Sequence, residues 1–225
     1  VAAFMTSLLK RRPWIFELRD IWPESIRTVG AMRSSRALDL LEKLELFLYR
    51  RASAIVAVTH AFRDNLIAAE LGLEGKFVAG YIGTHGMAHA LETILDAAGK
   101  IRAEPDGDRF RFLFLGDGSS KAALVARAGK EGLDNVIFVD TVPKDEVVRY
   151  WSLLDASIIH LRRTPLFETV IPSKLFECMG MGIPVLHGVR GESAMIVTQE
   201  QVGLSFEPED YDDLCRVLRT LVSEP

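Results

Sequence analysis

Residues 165–193 read PLFETVIPSKLFECMGMGIPVLHGVRGES, and they hold in succession a loop, a helix start, a short helix, an apolar β-run and a second helix start. That succession suits the carboxyl edge of an open α/β sheet, which is where such sheets bind ligands. Pro172 can start a helix because its missing N–H would be unsatisfied in a first turn anyway, and Ser173 and Lys174 follow at once. The amides of that turn would point out of the helix end. Free N–H groups at a helix N-terminus, with a lysine beside them, make a seat for phosphate through the dipole and direct hydrogen bonds together. Glu177 lies one turn after Ser173 on the same face, where a carboxylate accepts hydrogen bonds from hydroxyls such as those of a ribose or a hexose. The two together point to a sugar nucleotide.

Taken singly, each of these residues reads more simply as part of a capped surface helix with a solvated lysine and glutamate. The apolar run that follows shifts the balance. GIPVLHGV has the pattern of a buried parallel strand ending at Gly188, and RGES opens another helix, so two helix starts flank one strand edge. The same alternation runs along the chain. PWIFELRD, ASAIVAVT, GKFVAGYIG, RFRFLFLGDG, NVIFVDTV, ASIIHL and VGLSFEP read as strands. Helical patterns lie between them, including Ala37 to Arg51, MAHALETILDAAGKI, SKAALVARAGKEG, PKDEVVRYWSLLD and Tyr211 to Leu221, with Gly72 closing HAFRDNLIAAELGL. Strands alternating with helices of about a dozen residues indicate α/β architecture with parallel, doubly wound sheets.

A chain of 225 residues, 48% hydrophobic and 26% charged, has room for one large core or two modest ones, and two domains is the better expectation. A net charge of −4 and a pI near 5.8 argue against general nucleic-acid binding. Lys10, Arg11, Arg12, Arg50 and Arg51 make the first third locally basic, which fits either solvated faces or contact with an anionic membrane surface. Cys178 and Cys215 lack metal-ligand spacing and read as buried free thiols in a reducing compartment. No apolar run approaches the roughly 20 residues that span a bilayer. The expected location is the cytoplasm, with peripheral contact at the inner face of the membrane.

With IPSKLFE, GIPV and GES in place, and GYIGTHG and LGDGS ahead of them in order, the chain resembles the second domain of a GT-B glycosyltransferase. It is similar to the large retaining family 4, and within it to bacterial transferases of O-antigen, capsule or exopolysaccharide synthesis. RDIWPES and VTHAFRDNL resemble the later part of that family's first domain. The resemblance therefore implies two Rossmann-like domains, 1–75 on the acceptor side with its opening strand and glycine loop absent from this sequence, and 76–225 for the nucleotide sugar. Two departures stand out. GLEGKFVAGYIG crosses between the domains without the family's Asn-Gly linker, and counting back eight from Glu177 reaches Thr169, so Glu168 is the nearest acid to the family's first glutamate.

Carried over by residue, the resemblance implies that Gly83, Thr84, His85 and Gly86 form the glycine turn facing the diphosphate or the sugar. Ser173 and Lys174 would seat the diphosphate, and Glu177 would bind the ribose. Gly116, Asp117 and Gly118 would border the base, a plain β-turn being the alternative. Arg19, next to Asp20, would touch the donor sugar or an acceptor phosphate, and an ion pair between neighbouring strands is its rival. Lys174, Glu168 and Arg19 are thus the catalytic candidates. The family needs no cofactor beyond the donor, and without a DxD-like pair near the phosphate seat, transfer is expected to be metal-independent and retaining. The expected acceptor is a lipid-linked saccharide, because Trp14, Trp22, LLKRR and Arg50-Arg51 place aromatic and basic residues together in the first domain. A GT-B sugar-nucleotide epimerase and a nucleotide-sugar-binding module without catalysis are the alternative functions.

Overall fold

In a computed structural model, residues 2–18, 36–57 and 67–223 are described, and the chain divides into two compact units, Val1–Gly72 and Leu73–Pro225. The first contains α1 (Ala2–Lys10), β1 (Ile15–Leu18), α2 (Arg36–Arg51) and β2 (Ala54–Ala57). The two strands pair in parallel, from Ile15 opposite Ala54 to Leu18 opposite Ala57. Aromatic rings hold this unit together: Phe4 lies 5.9 Å from Trp14 and 5.5 Å from Phe47, and Phe16 lies 5.0 Å from Tyr49. Trp14 Nε1 donates to the Arg51 carbonyl at 2.9 Å, and the Arg51 guanidinium covers Phe47. Both residues, read as membrane-facing from sequence, thus also serve packing inside the unit. Met5, Leu8 and Leu9 of α1 remain exposed just ahead of Lys10. Arg19, Asp20, Trp22, the RDIWPES segment and the VTHAFRDNL segment lie outside the described residues.

The second unit contains β3 (Phe77–Ile82), α3 (Glu92–Arg102), β4 (Phe110–Leu115), α4 (Lys121–Glu131), β5 (Val136–Val139), α5 (Lys144–Trp151), β6 (Ala156–His160), α6 (Ser173–Met181), β7 (Val185–Gly188), α7 (Glu192–Gln199), β8 (Gly203–Ser205) and α8 (Tyr211–Ser223). Its six strands lie in the order β5-β4-β3-β6-β7-β8, and every pair is parallel. Such a sheet is covered on both faces, which is why β4 reads FRFLFL, with five of its six residues buried. Phe110, Phe112 and Phe114 pack with Ile94, Leu95, Leu214 and Leu218 in the core. Each such side chain contributes on the order of 1.5–3 kcal/mol by leaving water. Cys178 and Cys215 are free and buried, as the sequence indicated.

The chain starts this sheet in the middle, at β3, builds outward to β5, then returns to the other side of β3 with β6. Neighbouring loops therefore leave in opposite directions between β3 and β6, the topological switch point where ligands bind in such folds. The two strands pair only at Ala79 with Ala156 and Gly80 with Ser157. Beyond that their carboxyl ends part and a crevice opens.

Two local readings need correction. The helix expected directly after the glycine turn begins only at Glu92, because Met87–His89 form a 3-10 turn and Ala90 takes a left-handed conformation at φ 43, ψ 48. Pro172 occupies the capping position with extended geometry, so Ser173 rather than the proline is the first helical residue.

Candidate functional site

The crevice at the switch point is a cavity of about 200 Å³, lined among others by Tyr81, His89, Ile159, His160, Val170 and Lys174. Lys174 is the second residue of α6, and its Nζ lies 4.0 Å above the centre of the Tyr81 ring. A Cβ on Gly83 would overlap Lys174 Nζ and Cε, so the missing side chain of the glycine turn is the space the lysine occupies. Burial lowers the Lys174 pKa to about 8, with the Glu177 carboxylate one turn on acting in the opposite direction. Ser173 and Glu177 are exposed on the same helix. The N-terminal turn of α6, a lysine and the glycine turn thus converge on one point at the sheet edge.

The loops after β3 and β4 are packed backbone against backbone. Gly83 N donates to Leu115 O and His85 N to Asp117 O, both at 2.8 Å, and Ser120 N returns to His85 O at 2.8 Å. Gly116 and Gly118 have φ of +139° and +156°, and a Cβ on them would overlap the carbonyls of Gly83 and His85 respectively. Only glycine takes such angles readily and permits so close an approach. Asp117 Oδ1 accepts the Gly118 amide at 2.8 Å, and Lys121 Nζ donates to Gly116 O at 2.8 Å and to Asp140 Oδ1 at 2.5 Å, which ties the ends of β4 and β5 together.

This stacking limits what the glycine turn can offer. The amides of Gly83 and His85 are used by the neighbouring strand end and are not open to a ligand. The His85 side chain points inward and is fully buried, with Tyr81 at 5.9 Å and Phe114 at 6.0 Å between ring centres. Burial first, then the charges of Lys121 and Lys174, push its pKa down to about 4, and neither ring nitrogen has a hydrogen-bond partner.

Glu168 sits elsewhere on the carboxyl edge, in the 3-10 turn Phe167–Thr169. Its carboxylate is 3.8 Å from Arg190 Nη1, and Arg190 also pairs with Glu207. It lines a separate, smaller cleft with Arg163 and Pro208. The structure therefore gathers Gly83, Thr84, Ser173, Lys174 and the Gly116–Gly118 loop at one edge but directs the Glu168 side chain to Arg190.

Sequence reasoning missed Tyr81, His89, His160 and Arg162. Arg162 donates to Met87 O at 2.6 Å through Nε, receives Glu92 and Glu209 as ion-pair partners, and through its own amide holds Ala88 O at 2.9 Å. It fastens the 87–92 segment across the switch point. The signal for Tyr81 and Arg162 was position alone, since one nearly ends β3 and the other closely follows β6.

Residues 76–224 match the family described as glycosyl transferases group 1. Over 157 residues the chain is 26% identical to the 2-deoxystreptamine glucosyltransferase of Streptomyces kanamyceticus, covering 68% of this chain and 38% of that protein. It is 28% identical over 155 residues to the putative colanic acid biosynthesis glycosyl transferase WcaI of Escherichia coli strain K12, covering 68% of this chain and 37% of that one. The chain thus spans well under half the length of these curated relatives. Among solved structures it is similar to Anabaena Alr3699/HepE in complex with UDP-glucose, with a TM-score of 0.60 at 17% identity over 98% of this chain and 65% of that one. WaaG, a glycosyltransferase involved in lipopolysaccharide biosynthesis, gives a TM-score of 0.58 at 18% identity over 72% and 42%. At such identities the structural likeness speaks for the fold, which is the α/β fold of GT-B proteins. Because the family match takes in the whole of the second sheet, its switch-point crevice and both glycine turns, the chain belongs to the glycosyl transferases group 1 family.

Proposed function

We propose that this chain carries the donor site of a retaining transferase of the family 4 type, which moves a hexosyl or aminosugar group from a uridine-diphosphate donor to an acceptor hydroxyl. The observation that carries this reading is the placement of Lys174, held at a helix N-terminus, against a glycine turn, at the switch point of a parallel sheet. Uridine is taken from the UDP-glucose complex of the Anabaena neighbour. In the reaction the bond between the anomeric carbon and the β-phosphate oxygen breaks. The acceptor oxygen then bonds to that carbon on the same face, and its proton passes to the departing phosphate. Negative charge grows on the diphosphate, where the Lys174 ammonium and the amides of the first turn of α6 receive it. Glu177, exposed one turn on, accepts the ribose hydroxyls, and the Gly116–Gly118 loop borders the base. Glu168, whose carboxylate stands 3.8 Å from Arg190, is given no step in this scheme.

The proposed acceptor is a lipid-linked saccharide of surface-polysaccharide synthesis, met at the inner face of the membrane. Supporting it are the exposed Met5, Leu8 and Leu9 of α1 followed by Lys10, Arg11 and Arg12, and the likeness to the colanic acid relative. Among the described residues no helix is long and apolar enough to cross a membrane.

The test uses the full-length protein with labelled UDP-sugars. A transferase yields a labelled glycolipid and free UDP, an epimerase yields an altered UDP-sugar, and a module without catalysis binds and returns its ligand. Lys174→Ala is expected to lower turnover by about 10²–10³-fold, the loss seen when one preorganised donor is removed. It should weaken UDP binding while leaving uridine binding unchanged. Equal calorimetric losses for UDP and uridine would remove Lys174 from the phosphate.

A further inference from the structure

Tyr81 is almost fully buried near the end of β3, and it makes two directed contacts with the donor site. Its hydroxyl donates to the Thr84 carbonyl at 2.9 Å, inside the glycine turn. Its ring face carries the Lys174 ammonium at 4.0 Å, well within the distance at which a cation is drawn to the negative face of an aromatic ring. The partner that Lys174 does not take is as informative. Glu177 stands three residues on along α6, a spacing at which opposite charges readily pair, and its charge acts on Lys174, yet the two are not among the close ion pairs of the described residues.

From this geometry we infer that Tyr81 is a positioning residue for the transfer reaction. Its ring holds the Lys174 ammonium over the glycine turn, so that the diphosphate meets a cation already in place. The inference rests on the reading of Lys174 as the phosphate ligand. A lysine stem is long and flexible and its ammonium is a point charge, so a fixed position at a half-buried site requires a counterpart. A carboxylate would supply one, but would neutralise both groups that the donor needs. An aromatic face holds the cation without cancelling its charge, and an aliphatic side chain of the same bulk has no such face. The tyrosine hydroxyl adds a second contact by fixing the Thr84 carbonyl, so one residue orients both the ammonium and the glycine turn.

The experiment separates ring electronics from packing. In the whole chain, Tyr81 is replaced by Phe and then by mono-, di- and trifluorinated Phe, which keep the ring's shape while weakening its negative face, and UDP and uridine affinities are measured by calorimetry. Tyr81→Phe is expected to bind UDP within about threefold of the parent. UDP affinity should then fall stepwise along the fluorinated series, by about fivefold or more at the trifluoro member, with uridine affinity flat. In a Lys174→Ala background the series should have no effect on UDP. A flat UDP series, or equal losses for UDP and uridine, overturns the inference about Tyr81. If instead Lys174→Ala itself leaves UDP binding unchanged, the phosphate role of Lys174 fails, and the reading beneath the inference fails with it.

Discussion

Lowering the pH from 7 to 5 should bring the 73–225 unit close to unfolding, because three of its histidines are buried in the neutral form. His85, His160 and His187 are each at most 1% exposed, and burial is the leading cause that holds each pKa down to about 4. Protonation would also cost a bond at His160, whose Nε2 accepts the Glu209 amide at 2.9 Å. In the unfolded chain a histidine titrates near 6.5. Between pH 6.5 and 4 the unfolded state therefore holds protons that the native state lacks. Stability is fully present above this window and falls as the pH falls through it. Each group contributes a slope approaching 1.4 kcal/mol per pH unit, so by pH 5 each has cost about 2 kcal/mol and the three together about 6 kcal/mol. That is comparable to the whole stability of an ordinary domain, about 5–15 kcal/mol. The lowered carboxyls of Asp106, Asp108, Asp134, Asp140 and Asp213 lose their contribution only as the pH drops below the usual carboxylate range, and so fall outside the window. Urea unfolding followed by circular dichroism at pH 7, 6 and 5 measures the effect. His85→Phe should reduce the slope near pH 5 by about one third, since that ring has aromatic neighbours and no hydrogen bonds to lose. A change in stability of less than about 1 kcal/mol between pH 7 and 5 would refute the reasoning.

Three further outcomes are expected. With a Lys174 pKa of about 8, and the ammonium required for phosphate, UDP affinity should fall about tenfold from pH 7 to 9 while uridine affinity stays level, as read by calorimetry. Gly116→Ala places a Cβ against the Gly83 carbonyl at a φ of +139°, and should cost at least about 2 kcal/mol in thermal unfolding. Ser193→Ala leaves the buried His187 ring without its hydrogen bond, and should cost about 1–3 kcal/mol by urea titration, the loss being smallest if a water enters the space.

The sequence by itself carried the elements and the class of the fold. Alternating apolar runs and helical patterns depend on local sterics and local hydrogen bonding, so RFRFLFLGDG reads as a strand running into a turn, and IPSKLFE as a helix start with a lysine and a carboxylate one turn apart. The boundaries that went astray were set by longer-range contacts. The segment after the glycine turn reads as helix from Met87, but Arg162 takes the carbonyls of Met87 and Ala88, and the helix waits until Glu92. The site followed the same division. Ser173, Lys174 and Glu177 were legible because one helix turn fixes their spacing. That Lys174 rests on Tyr81, that His85 turns into the core, and that Glu168 is held by Arg190 were decided only by the tertiary structure. Each joins residues on different elements, and strand order and the parting of β3 from β6 determine which side chains meet. Local preference fixes what each segment becomes, whereas contacts across the sheet edge depend on where the chain returns, and no local pattern of residues encodes that.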